Sequence, residues 1–172
     1  MNSRFIWLIV AAPIVLMALW AASLGIEVAR GADVILPVRG SDPIDILRGH
    51  YIAYQVDYGP RVSIQKAYDL VPRCLCLEPR AGGVSEATWF GTCEKRDPST
   101  CPLFIKGASS YGFGGFRAEI ERFYIPEVYR EKLRTIPEGA TIKVRVTPSG
   151  KGYVTHMFVN GEPILEYVKK QG

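Results

Sequence analysis

Four cysteines, Cys74, Cys76, Cys93 and Cys101, fall within one stretch of a 172-residue chain and are its only thiols. If residues 73–77 are extended, Cys74 and Cys76 project from one face. They are then too constrained to pair with each other and well placed to bridge separately to Cys93 and Cys101. Two structural disulfides pinning a glycine-containing insertion is the reading adopted, with both cross-pairings open. A tetrathiolate zinc centre competes, because four thiolates satisfy tetrahedral zinc, but the C-x-C pair and the gap from Cys93 to Cys101 lack knuckle spacing. A redox dithiol also competes, yet it normally sits as C-x-x-C at a helix N-terminus, and nothing starts a helix at Cys74. The expectation is therefore disulfides, with no metal and no cofactor.

Other residues that do chemistry elsewhere are weaker here. His50 and His156 are the only histidines; with Met157 they form a soft-metal set only if distant strands converge, so each is read as a strand histidine. Residues 109–116 are glycine-rich but lack the lysine and the strand-to-helix setting of a phosphate loop, and are read as a loop or bulged edge. Glu119 and Glu121 are expected on one face of a strand, with Glu127 beyond the turn at Pro126, so a carboxylate cluster is the main acid–base option. Ser85 with Lys95 offers a Ser–Lys dyad only in outline.

The elements that position these residues begin with an uncharged run over residues 5–26. At about 1.5 Å per residue it spans roughly 33 Å, enough to cross a hydrocarbon core. Pro13 is tolerated in such a helix, and Trp7 and Trp20 suit opposite interfaces. A cleaved signal peptide competes, with small residues at Ala21, Ala22 and Ser23, but the run exceeds a signal core and Trp20 interrupts the site. The chain divides accordingly into a cytoplasmic segment 1–4, a transmembrane helix 5–26, a linker 27–32 and one external domain 33–172. Arg4 precedes the helix while Arg30, Arg39 and Arg48 follow it, yet a long folded domain is translocated largely regardless of such charges. Four cysteines favour the oxidising side. A net charge of +4, spread along the chain, gives no footprint for nucleic acid.

Within the domain the apolar period is mostly two, broken by glycine and proline, which predicts an antiparallel, mainly β fold with a minor helical part. Residues 33–38 read as a strand, and Ser41, Asp42 and Pro43 open a helical turn ending at Gly49. Residues 50–58 read as a strand with Ile52, Tyr54, Val56 and Tyr58 on the buried face. Residues 141–147 and 153–159 alternate cleanly, and Asn160-Gly161 sends residues 163–168 back as the third strand of a meander. One short soluble helix is expected over residues 126–134, with Pro126 at its start and Lys132 and Arg134 near its end.

Two segments carry a resemblance. Residues 42–51, Asp42-Pro43-Ile44-Asp45-Ile46-Leu47-Arg48-Gly49-His50-Tyr51, resemble the D-P-R-D-L-L-R-G-D-Y segment of the bacterial GDYXXLXY proteins. Residues 120–127, with Glu121, Arg122, Phe123, Pro126 and Glu127, are similar to that family's later I-E-R-Y-F-V-P-E stretch. In the eponymous pattern Gly49 and Tyr51 match, while His50 replaces the acid, Tyr54 the leucine and Val56 the last tyrosine. The resemblance implies a small membrane-anchored protein and supplies no reaction. The expected function is a single-pass protein of the bacterial inner membrane with a periplasmic domain, acting as a binding or accessory module for a membrane or envelope partner. An envelope hydrolase with a site between the Gly49–Tyr51 turn and residues 121–127 is the alternative.

Overall fold

The computed structural model describes residues 3–40, 51–59, 73–79, 83–110, 115–129, 132, 133 and 135–170. Helix α1, Ser3–Ala29, carries Pro13, with no acidic residue in its first turn and no basic residue in its last. Its segment Ala11–Ala29 is long and apolar enough to cross a membrane, with mean hydropathy 1.8 and nothing covering it. The helix continues through residues 27–29, expected to be linker, so only Arg30 and Gly31 separate it from the first strand.

The strands are β1 Ala32–Gly40, β2 Tyr51–Val56, β3 Arg73–Pro79, β4 Ser85–Thr92, β5 Phe104–Ser110, β6 Gly115–Arg117, β7 Arg122–Tyr124, β8 Ala140–Val146, β9 Gly152–Val159 and β10 Glu162–Pro163. They form a six-stranded sheet, β10-β9-β8-β1-β2-β7, and a four-stranded sheet, β4-β3-β5-β6. Each pairing between these strands is antiparallel. Strand β1 changes partner midway: residues from Ala32 to Pro37 pair with β8, and Val38 to Gly40 pair with β2. The change falls at Pro37, which has no N–H to give a ladder, while its carbonyl accepts from Asp57.

The apolar positions of alternating strands meet between the sheets. Val34, Leu36, Ile52, Tyr54, Ile142, Val144 and Val146 from the larger sheet pack with Leu75, Leu77, Ala87 and Ile105 from the smaller. Strand β3 is buried on both faces, because Cys74 and Cys76 point away from this core into a second cluster with Cys101 and Phe104.

Two helical expectations change. The β8–β9–β10 meander turns at Asn160 and Gly161, both at positive φ, but β10 is only Glu162–Pro163. Residues 164–170 form helix α2, Ile164–Lys170, rather than a third strand. Ile164 and Val168, four apart, are both buried, so this segment satisfies the helical period better than the period of two. Conversely, residues 126–134 hold a 3-10 turn at Glu127–Tyr129 in place of a regular helix among the described residues. The Tyr129 N–H reaches back to the Pro126 carbonyl at 3.0 Å and the Leu133 N–H to the Tyr129 carbonyl at 3.1 Å.

The joint between helix and sheet is tight. A Cβ on Gly31 would lie 2.8 Å from Arg145 Cγ and 3.0 Å from the Val146 carbonyl, so only glycine fits. Beside it, Asp33 takes two hydrogen bonds from Arg145, at 2.7 and 2.9 Å, and a 2.9 Å ion pair from Lys143. These cations hold the Asp33 carboxyl well below the usual carboxylate range, chiefly through the Arg145 hydrogen bond. A depressed pKa stabilises the fold above the unfolded value near 4, and the contribution is lost as pH falls toward the folded value. Asp33→Asn should therefore cost about 1 kcal/mol at neutral pH, the group being partly exposed. In denaturant titrations that gap should close in strong acid; a gap that stays constant would mean the pairing is not its cause.

Candidate functional site

The two segments singled out from the sequence meet as neighbouring strands. Tyr51 lies opposite Tyr124, Ile52 opposite Phe123 and Ala53 opposite Arg122 in the β2–β7 register. Asp42, Pro43, Arg48, Gly49 and His50 lie outside the described residues, so of the first segment only Tyr51 enters the geometry.

On the inner side, the main chain between β6 and β7 crosses from one sheet to the other through a bend at residues 118–121. Glu119 occupies the left-handed region at φ 62°, a conformation costly for a side chain. Glu121 is buried, 7% exposed, and its Oε1 accepts the Ala118 N–H at 2.7 Å. The Glu121 carbonyl accepts the Tyr54 N–H at 3.2 Å, and the Tyr54 hydroxyl donates to the Ile120 carbonyl at 2.5 Å. Tyr58 packs edge-on against Phe116, centroids 5.2 Å apart, and its carbonyl accepts the Ala87 N–H. Burial pushes both phenols up, and the Glu121 charge adds to the shift. Neither ionises at physiological pH, so this cluster positions main chain rather than moving protons.

On the outer side, alternation brings Tyr51, Arg122 and Tyr124 together. The tyrosine rings meet edge-on at 6.1 Å, and the Arg122 guanidinium lies 5.3 Å from the Tyr51 ring centre. Tyr124 is 70% exposed and Val128, in the following turn, 75%. An exposed tyrosine set against a half-buried one, with an arginine and an exposed aliphatic side chain, is the composition of a protein contact. Phe123 faces inward and is partly buried; Ile125 is buried, and Pro126 and Glu127 are exposed.

The carboxylates do not form the face expected of them. Residues 118–121 are a bend and not a strand, so Glu121 is inside and committed to the Ala118 N–H while Glu119 is outside. His156 stacks on Phe158 at 5.9 Å and is exposed, whereas Met157 is buried, so they face opposite ways. Ser85 is buried in β4, and the Lys95 side chain lies outside the described residues. Within the glycine-rich run Ser109 and Ser110 belong to β5 and Gly115 and Phe116 to β6, which pair antiparallel, and residues 111–114 lie outside the described residues. Cys74 pairs with Cys93 and Cys76 with Cys101, at Cα separations of 5.0 and 5.5 Å. The sequence left Tyr54 and Tyr58 as core residues. Their spacing showed the buried face, but the carbonyl that the Tyr54 hydroxyl meets lies 66 positions away.

Among known families, the model described as GDYXXLXY protein matches residues 12–157. Neither curated proteins nor solved structures give a match.

Two tyrosine variants separate the inner contacts. Tyr54→Phe strands the Ile120 carbonyl and should cost about 1–3 kcal/mol in chemical denaturation. Tyr58→Phe removes a buried hydroxyl that has no hydrogen-bond partner among the described residues, and should be neutral or stabilising. Equal losses for the two would refute this division of roles. For the cysteines, mass spectrometry of protein purified without reductant should find no alkylatable thiol and peptides linked 74–93 and 76–101. Four free thiols, or a zinc ion released by chelator, would reject the pairing.

Proposed function

The chain belongs to the GDYXXLXY protein family, and from that premise we propose that it is a single-pass membrane-anchored accessory protein whose domain binds another membrane or envelope component. The observation that carries this reading is α1, uncharged from Ala11 to Ile26 with none of the Ala11–Ala29 segment buried, and joined to β1 through Arg30 and Gly31. An uncovered apolar helix of that length has a bilayer as its natural solvent. Residues 1–4 are then cytoplasmic and the domain lies on the periplasmic side of a bacterial inner membrane. The cysteine pairs support that side, since disulfides persist where the compartment is oxidising. The contact surface is the outer face formed by Tyr51, Arg122, Tyr124 and Val128, where the two family segments adjoin. The buried Glu121 gives the hydrolase alternative no support.

The test uses the full-length chain in its own membranes, with a photo-crosslinking side chain placed at Tyr124, at Val128 or, as a control on the far side of the larger sheet, at Thr155. The chain should stay in the carbonate-washed pellet. A discrete adduct should form from positions 124 and 128, not from 155, and disappear with Arg122→Glu. Release by carbonate would sink the anchor, and a retained chain without site-dependent adducts would sink the binding surface.

A further inference from the structure

A second site lies at the base of the domain, away from the β2–β7 surface. The turn between β8 and β9 reaches back to the helix, where the Ser149 hydroxyl donates to the Glu27 carboxylate. The next residue, Gly150, sits at φ 85° against the Phe104 ring, and its carbonyl accepts the Lys106 N–H at 2.8 Å. This turn therefore bridges the end of α1 to β5. Between this turn and strands β5 and β6 opens a cleft of about 620 Å³ lined by Lys106, Gly107, Arg117, Glu119, Ser149 and Lys151 among others.

The cations of this cleft are conspicuous for what they do not do. Lys106, Arg117 and Lys151 are all exposed, and none makes an ion pair with a described residue. Lys151 lies 5.2 Å from the Tyr153 ring centre and Lys106 5.8 Å from that of Phe104, contacts that orient an ammonium without neutralising it. Among the described residues the only carboxylate lining the cleft is Glu119, so that lining carries a positive excess. At the nearby helix–sheet joint, by contrast, Lys143 and Arg145 both pair with Asp33.

We propose that this cleft holds the phosphodiester headgroup of an anionic phospholipid in the membrane that α1 enters. The inference rests on the anchor reading above and adds a ligand to it. Position selects lipid over a soluble anion: Ala11–Ala29 has the length of one hydrocarbon core, which puts Glu27 and the turn bonded to it at headgroup level. Juxtamembrane lysine and arginine side chains are drawn to anionic lipid there. The cleft adds a defined cavity to that attraction, so it should retain individual lipids and not merely sense surface charge.

The experiment places the full-length chain in nanodiscs of phosphatidylcholine with and without phosphatidylglycerol. Native mass spectrometry of the released protein should find phosphatidylglycerol enriched over the bulk mixture. Each of Lys106→Gln, Arg117→Gln and Lys151→Gln should lower that enrichment by about fivefold, and the triple variant should abolish it. Acylation of Lys106 and Lys151, but not of Lys169, should slow when phosphatidylglycerol is present. Unchanged enrichment in the triple variant would overturn the proposal, as would equal acylation in both nanodiscs. Equal protection by inorganic phosphate in phosphatidylcholine discs would also overturn it, by assigning the cleft to free anions. All three leave the anchor standing. A chain that fails to enter nanodiscs and is extracted by carbonate would overturn the anchor and the lipid site together.

Discussion

The fold depends on one crossing of the main chain between its two sheets. Strand β6 ends the smaller sheet and β7 ends the larger, and the bend at residues 118–121 that joins them must pass through the interior. Buried main-chain groups there cannot be left to water. Glu121 answers by turning its carboxylate back onto the Ala118 N–H, and Tyr54 answers by covering the Ile120 carbonyl. A buried carboxylate is costly in itself. Its burial is intelligible only because it satisfies main chain at a point where no ladder partner exists, with Glu119 absorbing the left-handed turn. With that bend fixed, β7 is delivered to β2 in register, and Tyr51, Arg122 and Tyr124 come together outside.

A second line of contacts runs from the cysteines to the helix. Cys76 and Cys101 share a small cluster with Phe104. The Arg96 guanidinium covers the Phe104 ring at 3.8 Å, and Gly150 packs against that ring. From Gly150 the turn passes to Ser149 and so to Glu27 at the end of α1. The cluster behind β3 is too small to hold residues 93–103 by apolar burial alone, and covalent links are the usual supplement when a core is limited. The disulfides thus act on more than their own insertion, because Phe104 is a wall shared by the cysteine cluster and the turn that borders the cleft.

What was legible in the sequence was what one strand shows by itself. The alternation of Ile142, Val144 and Val146, the inward set of Ile52, Tyr54 and Tyr58, the turn at Asn160-Gly161 and the same-face placement of Cys74 and Cys76 are all local properties. Residues 163–168 misled because Ile164 and Val168 fit either a strand or one helical turn, and Pro163 already ends the ladder after a single pair of residues. Glu119 and Glu121 misled because period-two reasoning assumes a strand, and nothing local announces that a glutamate will be buried against main chain. The cleft was illegible for another reason: its cations come from β5, from β6 and from the turn after β8, which only the crossing brings together.

The family's pattern places a leucine where this chain has Tyr54, and the structure shows what the larger side chain does. Position 54 faces inward, and Tyr54 is 2% exposed. Its ring fills an apolar slot as a leucine would, while its hydroxyl extends to the Ile120 carbonyl in the second family segment. A leucine could not reach that acceptor, so the departure in one segment is tied to the main-chain path of the other. Tyr51, three residues earlier, faces outward, where its ring meets Tyr124 and Arg122. The strand period therefore separates two demands within one short motif. Changes at inward positions are constrained by the crossing, whereas changes at outward positions alter the surface offered to a partner while leaving the crossing intact.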